Sequence, residues 1–99
     1  MTTRSLLVPV IQRDDYTVAY EYSDFMVFGH VDVRRWGVEV AKRLREDVAA
    51  ACALSDEPIY SLEVPEDPRQ PKFLKMCGFH PIGEAENIHG QTVTLYERK

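Results

Sequence analysis

The chain has 99 residues, 44% of them hydrophobic and 28% charged, a composition that suits one globular domain and excludes a wholly disordered chain. Its net charge of −4 argues against a general nucleic-acid or membrane-surface binder, which would carry a basic excess. Any anionic ligand would have to be held by a local cluster of donors.

The first predicted element is a strand over Ser5–Ile11, apolar but interrupted by Pro9. Proline cannot donate to a ladder on both sides, so this is an edge strand. Asp14 and Asp15 mark a turn. Over Tyr16–Tyr22 the residues alternate, Val18, Tyr20 and Tyr22 against Thr17, Ala19 and Glu21, which is the period of a half-buried strand. Ser23-Asp24 leads tightly into a third strand, Phe25–Val33. It places Phe25, Val27, Gly29, Val31 and Val33 on one face and Met26, Phe28, His30 and Asp32 on the other. Both faces are apolar over its first half, as in the middle of a covered sheet. Gly29 inside this strand signals a bulge, or a close approach by other backbone or a ligand.

After the basic turn Arg34-Arg35-Trp36-Gly37 comes a long amphipathic helix with apolar residues at Val40, Ala41, Leu44, Val48 and Ala51. A strand feeding a helix through such a turn offers outward-facing N–H groups and a favourable helix dipole to an anion. The plainer alternative is an ordinary β–α connection with a solvated turn. Ser55–Pro58 ends the helix, and Ile59–Val64 is a short strand. A strand, helix and strand in so few residues form a right-handed crossover between parallel neighbours.

Pro65–Pro71 can start a second helix with Asp67 as its cap, burying Phe73, Leu74, Met76 and Cys77 and ending at Gly78. Phe79–Ala85 and Gln91–Arg98 then form an antiparallel pair around Asn87–Gly90. The expected fold class is α/β, an α+β mixed sheet in the order β-β-β-α-β-α-β-β, as one domain over residues 1–99. No stretch reaches the length of a membrane-spanning helix, and Met1–Ser5 does not begin a signal peptide. Cys52 and Cys77 have no CxxC spacing, which points to reduced thiols and a cytoplasmic setting. His30, His80 and His89 share no ligand spacing, so no metal is expected.

Three features in chain order resemble the second half of the GNAT superfamily of N-acetyltransferases. The third strand with its glycine runs into Arg34-Arg35-Trp36-Gly37, where Arg34 and Gly37 match the first and fourth positions of the pyrophosphate loop Q/R-x-x-G-x-G/A. Phe73-Leu74-Lys75-Met76-Cys77-Gly78-Phe79 is similar to the family's F-Y-x-x-L-G-F. A closing hairpin follows. The chain departs from the pattern at Glu39, which stands where the loop's second small residue belongs; two like charges in contact cost about 1 kcal/mol in water and about 4 at a protein surface. Leu74 replaces the tyrosine that protonates the leaving thiolate in many members. The family's first strand and two N-terminal helices have no counterpart. Small chains of this kind resemble GNAT-like proteins of tailed bacteriophages.

The resemblance implies a truncated GNAT-like fold and acetyl-CoA as acyl donor. Val31 and Val33 would hold its pantetheine arm where the sheet splays after Gly29. The N–H groups of Trp36, Gly37 and Val38 would receive the pyrophosphate, with Arg34 and Arg35 adding charge-assisted bonds. Glu63, Asp32 and His30 are the candidate bases for an amine acceptor, small molecule or protein, and Tyr60 is a substitute acid if its face is right. The alternative is a catalytically inactive GNAT-like protein that binds another protein or serves as a phage structural or accessory component, in the host cytoplasm or the virion. The missing helices would leave apolar sheet uncovered, which points to a homodimer. No nucleic-acid or membrane partner is expected.

Overall fold

The computed structural model describes residues 6–99. Six strands and two helices follow in the order β1 (Leu6–Gln12), β2 (Tyr16–Tyr22), β3 (Val27–Val33), α1 (Val38–Ala53), β4 (Ile59–Leu62), α2 (Gln70–Met76), β5 (His80–Glu86) and β6 (Thr92–Arg98). The result is a mixed α+β fold on one six-stranded mixed sheet, ordered β1-β2-β3-β4-β6-β5. β3 and β4 run parallel, and every other neighbouring pair is antiparallel. Among the described residues no helix is long and apolar enough to cross a membrane.

Both helices pack on one face of the sheet. Val40, Leu44, Val48 and Cys52 of α1 and Leu74 of α2, with Cys77 just after it, share a buried cluster with Tyr16, Val18, Tyr20, Val27, Ile59 and Tyr96. The buried stripe of α1 therefore runs on to Cys52, and Ala51 is only partly buried. On the opposite face lie Phe28, His30, Tyr60 and Leu95, half-buried or exposed, and neither helix covers them. Asp47 of α1 ties the helix to the β1–β2 turn: it accepts from Arg13 Nε at 2.6 Å and Nη2 at 3.0 Å, and from the hydroxyl of buried Tyr16.

Several boundaries differ from the sequence expectation, each for a local reason. β1 is an edge strand and runs to Gln12, with its register shifting between Pro9 and Ile11 where proline interrupts the ladder; the predicted start at Ser5 lies outside the described residues. Phe25 is not in β3 and is 95% exposed. Ser23 holds Met26 through its backbone N–H at 3.0 Å and its hydroxyl at 2.8 Å, so the turn consumes both intervening residues.

The second helix begins at Gln70, with Arg69 as N-cap in place of Asp67. In a helix starting at Pro68, residue 71 would have to donate its N–H to the Asp67 carbonyl as the first intrahelical bond, and residue 71 is proline; the later start puts Pro71 in the first turn, where no N–H is required. Asp67 caps the preceding turn instead, accepting from Arg69 N at 3.1 Å. Met76, predicted buried, is 38% exposed. At the far end Gly78 N–H donates to Lys75 O at 3.1 Å and Phe79 N–H to Leu74 O at 2.9 Å, the paired bonds of a Schellman motif with glycine at positive φ.

Candidate functional site

The parallel pair is short. β3 and β4 are in register only at Val27↔Ile59 and Phe28↔Tyr60; from Gly29 to Val33 β3 pairs with β2 alone, and β4 continues against β6. Gly29 sits where the two strands part. Its ladder with β2 is unbroken at Tyr20↔Gly29, so the glycine marks no bulge. It marks a close approach instead: a Cβ there would lie 3.2 Å from Ile59 Cγ2.

Beyond this point opens a cavity of about 1520 Å³ lined by Gly29, Val31 and Val33 of β3, by Trp36, Gly37 and Val38 of the turn, and by Ser61 and Glu63. Phe73 and Leu74 of α2 and Asn87–His89 of the hairpin turn also border it. Its lining draws on both faces of the sheet. Val18, Tyr20 and Val31 line it from the helix side, whereas Glu21, Phe28 and His30, which alternate to the other face, line it as well.

The start of α1 opens onto the cavity without a side-chain cap. Gly37 is the N-cap in extended conformation, and the first intrahelical bond is Ala41 N–H to Gly37 O at 2.9 Å. The N–H groups of the first turn therefore keep no acceptor within the helix, and the dipole's positive end stands there. Glu39 is exposed and does not line the cavity. Trp36 packs edge-on against Phe73, with centroids 6.0 Å apart and rings at 79°, joining the turn to α2.

The predicted site residues divide into two groups. His30, Val31, Val33, Trp36, Gly37, Val38 and Glu63 meet at the cavity; Asp32, Arg34 and Arg35 do not. Arg34 donates to Arg13 O at 2.5 Å and Thr17 Oγ1 at 3.0 Å and pairs with Asp32 at 3.3 Å, while Arg35 pairs with Asp15 at 3.7 Å. Asp15 and three carbonyls of the β1–β2 turn, together with Asp32 of β3, engage the guanidinium groups and the backbone N–H groups of the two arginines, and neither arginine lines the cavity. Asp32, with its side chain 77% exposed, is occupied by Arg34 in solvent.

Glu63 has a structural duty. Its N–H donates to Thr94 O and its Oε1 accepts from Thr94 N–H, both at 2.9 Å, closing the ladder where β4 ends. Tyr60 lies on the helix-free face, 6.4 Å from Phe28 between ring centroids, and does not line the cavity, so it is not a substitute acid there. Cys77 is buried, and burial pushes its thiol up to about 11, which leaves it un-ionised and unreactive at neutral pH.

Ser61 and Glu21 border the cavity and were not among the predicted site residues. Ser61, 8% exposed, is the buried polar residue of the described chain; its signal was a serine alternating with Ile59 in an apolar strand. Glu21 approaches His30, with 2.7 Å between Oε1 and Nε2. The two meet diagonally because Ala19 opposes His30 and Glu21 opposes Phe28, a register that alternation alone does not specify. Comparison of the chain with protein-family models, curated proteins and solved structures finds no match.

Proposed function

We propose that the chain is a small acyl-CoA-dependent N-acyltransferase-like protein of GNAT type, transferring an acetyl group directly from acetyl-CoA to an amine. The observation that carries this reading is the parting of β3 and β4 after Phe28↔Tyr60 beside the uncapped start of α1. A free strand edge suits the amide-bearing pantetheine arm, which can add as a short strand. The first-turn N–H groups suit the pyrophosphate. In this reading the backbone, not Arg34 or Arg35, supplies the anion contacts.

The reaction needs a base and a leaving-group proton. An ammonium R–NH₃⁺ gives one proton to the base; the amine lone pair then attacks the thioester carbonyl carbon. As the C–N bond forms and the C–S bond breaks, the coenzyme A sulfur leaves with the electron pair and takes up a proton, and the amide nitrogen loses its second one. The sum is amide, thiol and one released proton. Of the three candidate bases, His30 and Glu63 border the cavity and Asp32 does not.

The test is thermal unfolding with acetyl-CoA. A ligand at 100 times its Kd stabilises by about 2.7 kcal/mol; no shift at millimolar acetyl-CoA would sink the reading. One observation favours a second reading. Leu74, 4% exposed in the core, offers no proton to a thiolate, as expected of a non-catalytic GNAT-like protein that binds another protein or serves a phage particle as a structural or accessory part. That reading expects no thiol release from acetyl-CoA with any amine.

A further inference from the structure

We infer that Glu21 is the positioning residue of the acyl-transfer site, holding His30 as the proton acceptor on the helix-free face of the sheet. This rests on the acyltransferase reading and extends it to a residue on a different strand. Glu21 Oε1 stands 2.7 Å from His30 Nε2, and both residues border the cavity. A carboxylate accepts and does not donate, so in the neutral ring of this pair Nε2 carries the hydrogen and Nδ1 the lone pair. The carboxylate also stabilises the imidazolium that forms once Nδ1 has taken a proton.

Position singles out this pair among the candidate bases. Asp32 is paired with Arg34 outside the cavity, and one oxygen of Glu63 is bound to the backbone of Thr94. His30, with Glu21 beside it, borders the cavity from the face that neither α1 nor α2 covers, opposite the uncapped helix start. An amine arriving on that face meets His30 while the thioester arm lies along the free edge of β3. His30 takes a proton from the ammonium, directly or through one water, and returns it to solvent after the C–N bond has formed and the C–S bond has broken.

The experiment combines kinetics with NMR on the intact chain, using acetyl-CoA as donor, n-butylamine as the probe amine and thiol release as the signal. His30→Ala is expected to lower kcat roughly 100-fold. Glu21→Gln should lower it about tenfold with KM for acetyl-CoA unchanged, and Glu21→Asp should recover part of the loss. Long-range ¹H–¹⁵N spectra should show the neutral His30 ring as the Nε2–H tautomer in the native chain and as a mixture in Glu21→Gln. An unchanged kcat in Glu21→Gln, or a tautomer that does not respond, overturns the role of Glu21 and leaves the acyl-CoA reading standing. Acetyl-CoA binding without thiol release from the native chain overturns it too. Absence of any acetyl-CoA thermal shift removes the acyl-CoA reading and the base with it.

Discussion

Gly29 of β3 and Ile59 of β4 touch at the last point where their strands are joined: a Cβ on the glycine would lie 3.2 Å from Ile59 Cγ2, and Ile59 is 1% exposed. Neither neighbour has room to yield, because Ile59 is a fully buried side chain in the cluster that includes Val27 and Val48. The absence of a side chain at residue 29 therefore sets how closely β4 approaches before the cavity opens.

Gly29→Val should accordingly destabilise the fold by about 1–3 kcal/mol, the usual range for overpacking a core. Its branched side chain would also stand in the fork between the strands. Urea unfolding measures the first effect, and the acetyl-CoA thermal shift, expected to vanish, measures the second.

Gly37→Glu tests the helix start separately from the strands. Nothing lies within 4 Å of a Cβ at this position and the backbone is extended, so the substitution fits without strain. The melting temperature should change little. The added carboxylate repels a pyrophosphate at the same helix start by about 1–4 kcal/mol, so acetyl-CoA affinity should fall at least fivefold in a titration. Retained affinity would remove the start of α1 from the site.

The Asp47 cluster makes two signed predictions for stability against pH. Hydrogen bonds from Arg13, and then from Tyr16, hold the Asp47 carboxyl below its usual value even though burial opposes them. Its contribution is present above the ordinary carboxylate value of about 4 and is lost as pH falls through the lower folded value. Tyr16 is pushed up to about 12 by burial and by its bond to Asp47. The neutral phenol is thus favoured in the folded chain, and its contribution is complete below about pH 10 and lost between there and about 12. Tyr16→Phe should cost about 1.5–3 kcal/mol, since it removes a donor from a charged acceptor, and should abolish the alkaline part of the loss. Denaturant midpoints across the pH range decide both.

Gly78 holds φ +88°, and a Cβ there would lie 3.0 Å from Arg98 Nε, the group that donates to Cys77 O at 3.0 Å. Gly78→Ala should cost about 1–2 kcal/mol from the left-handed backbone alone, and a 99-residue domain loses roughly 4–8 °C in Tm per kcal/mol. Calorimetry of the single variant measures it. A loss below 2 °C would mean the end of α2 rearranges.

Local pattern in the chain was enough for the order of all eight elements, the glycine end of α2 and the parallel β3–α1–β4 unit. Periodicity, proline and glycine act within a few residues, and the structure follows them to within a turn. The same local rules marked the segment from Gly29 to Val38 as a site. Tertiary structure decided which of its residues share a cavity. Arg34 and Arg35 looked like anion ligands as a basic pair, but the fold brings them beside Asp14 and Asp15, residues twenty positions earlier in the chain, where Arg34 donates to the Asp14 carbonyl and Arg35 pairs with the Asp15 carboxylate. Glu21 faced nothing until the β2–β3 register placed it beside His30. The close approach of Gly29 to Ile59 spans the crossover, and no pattern within either strand contains that distance.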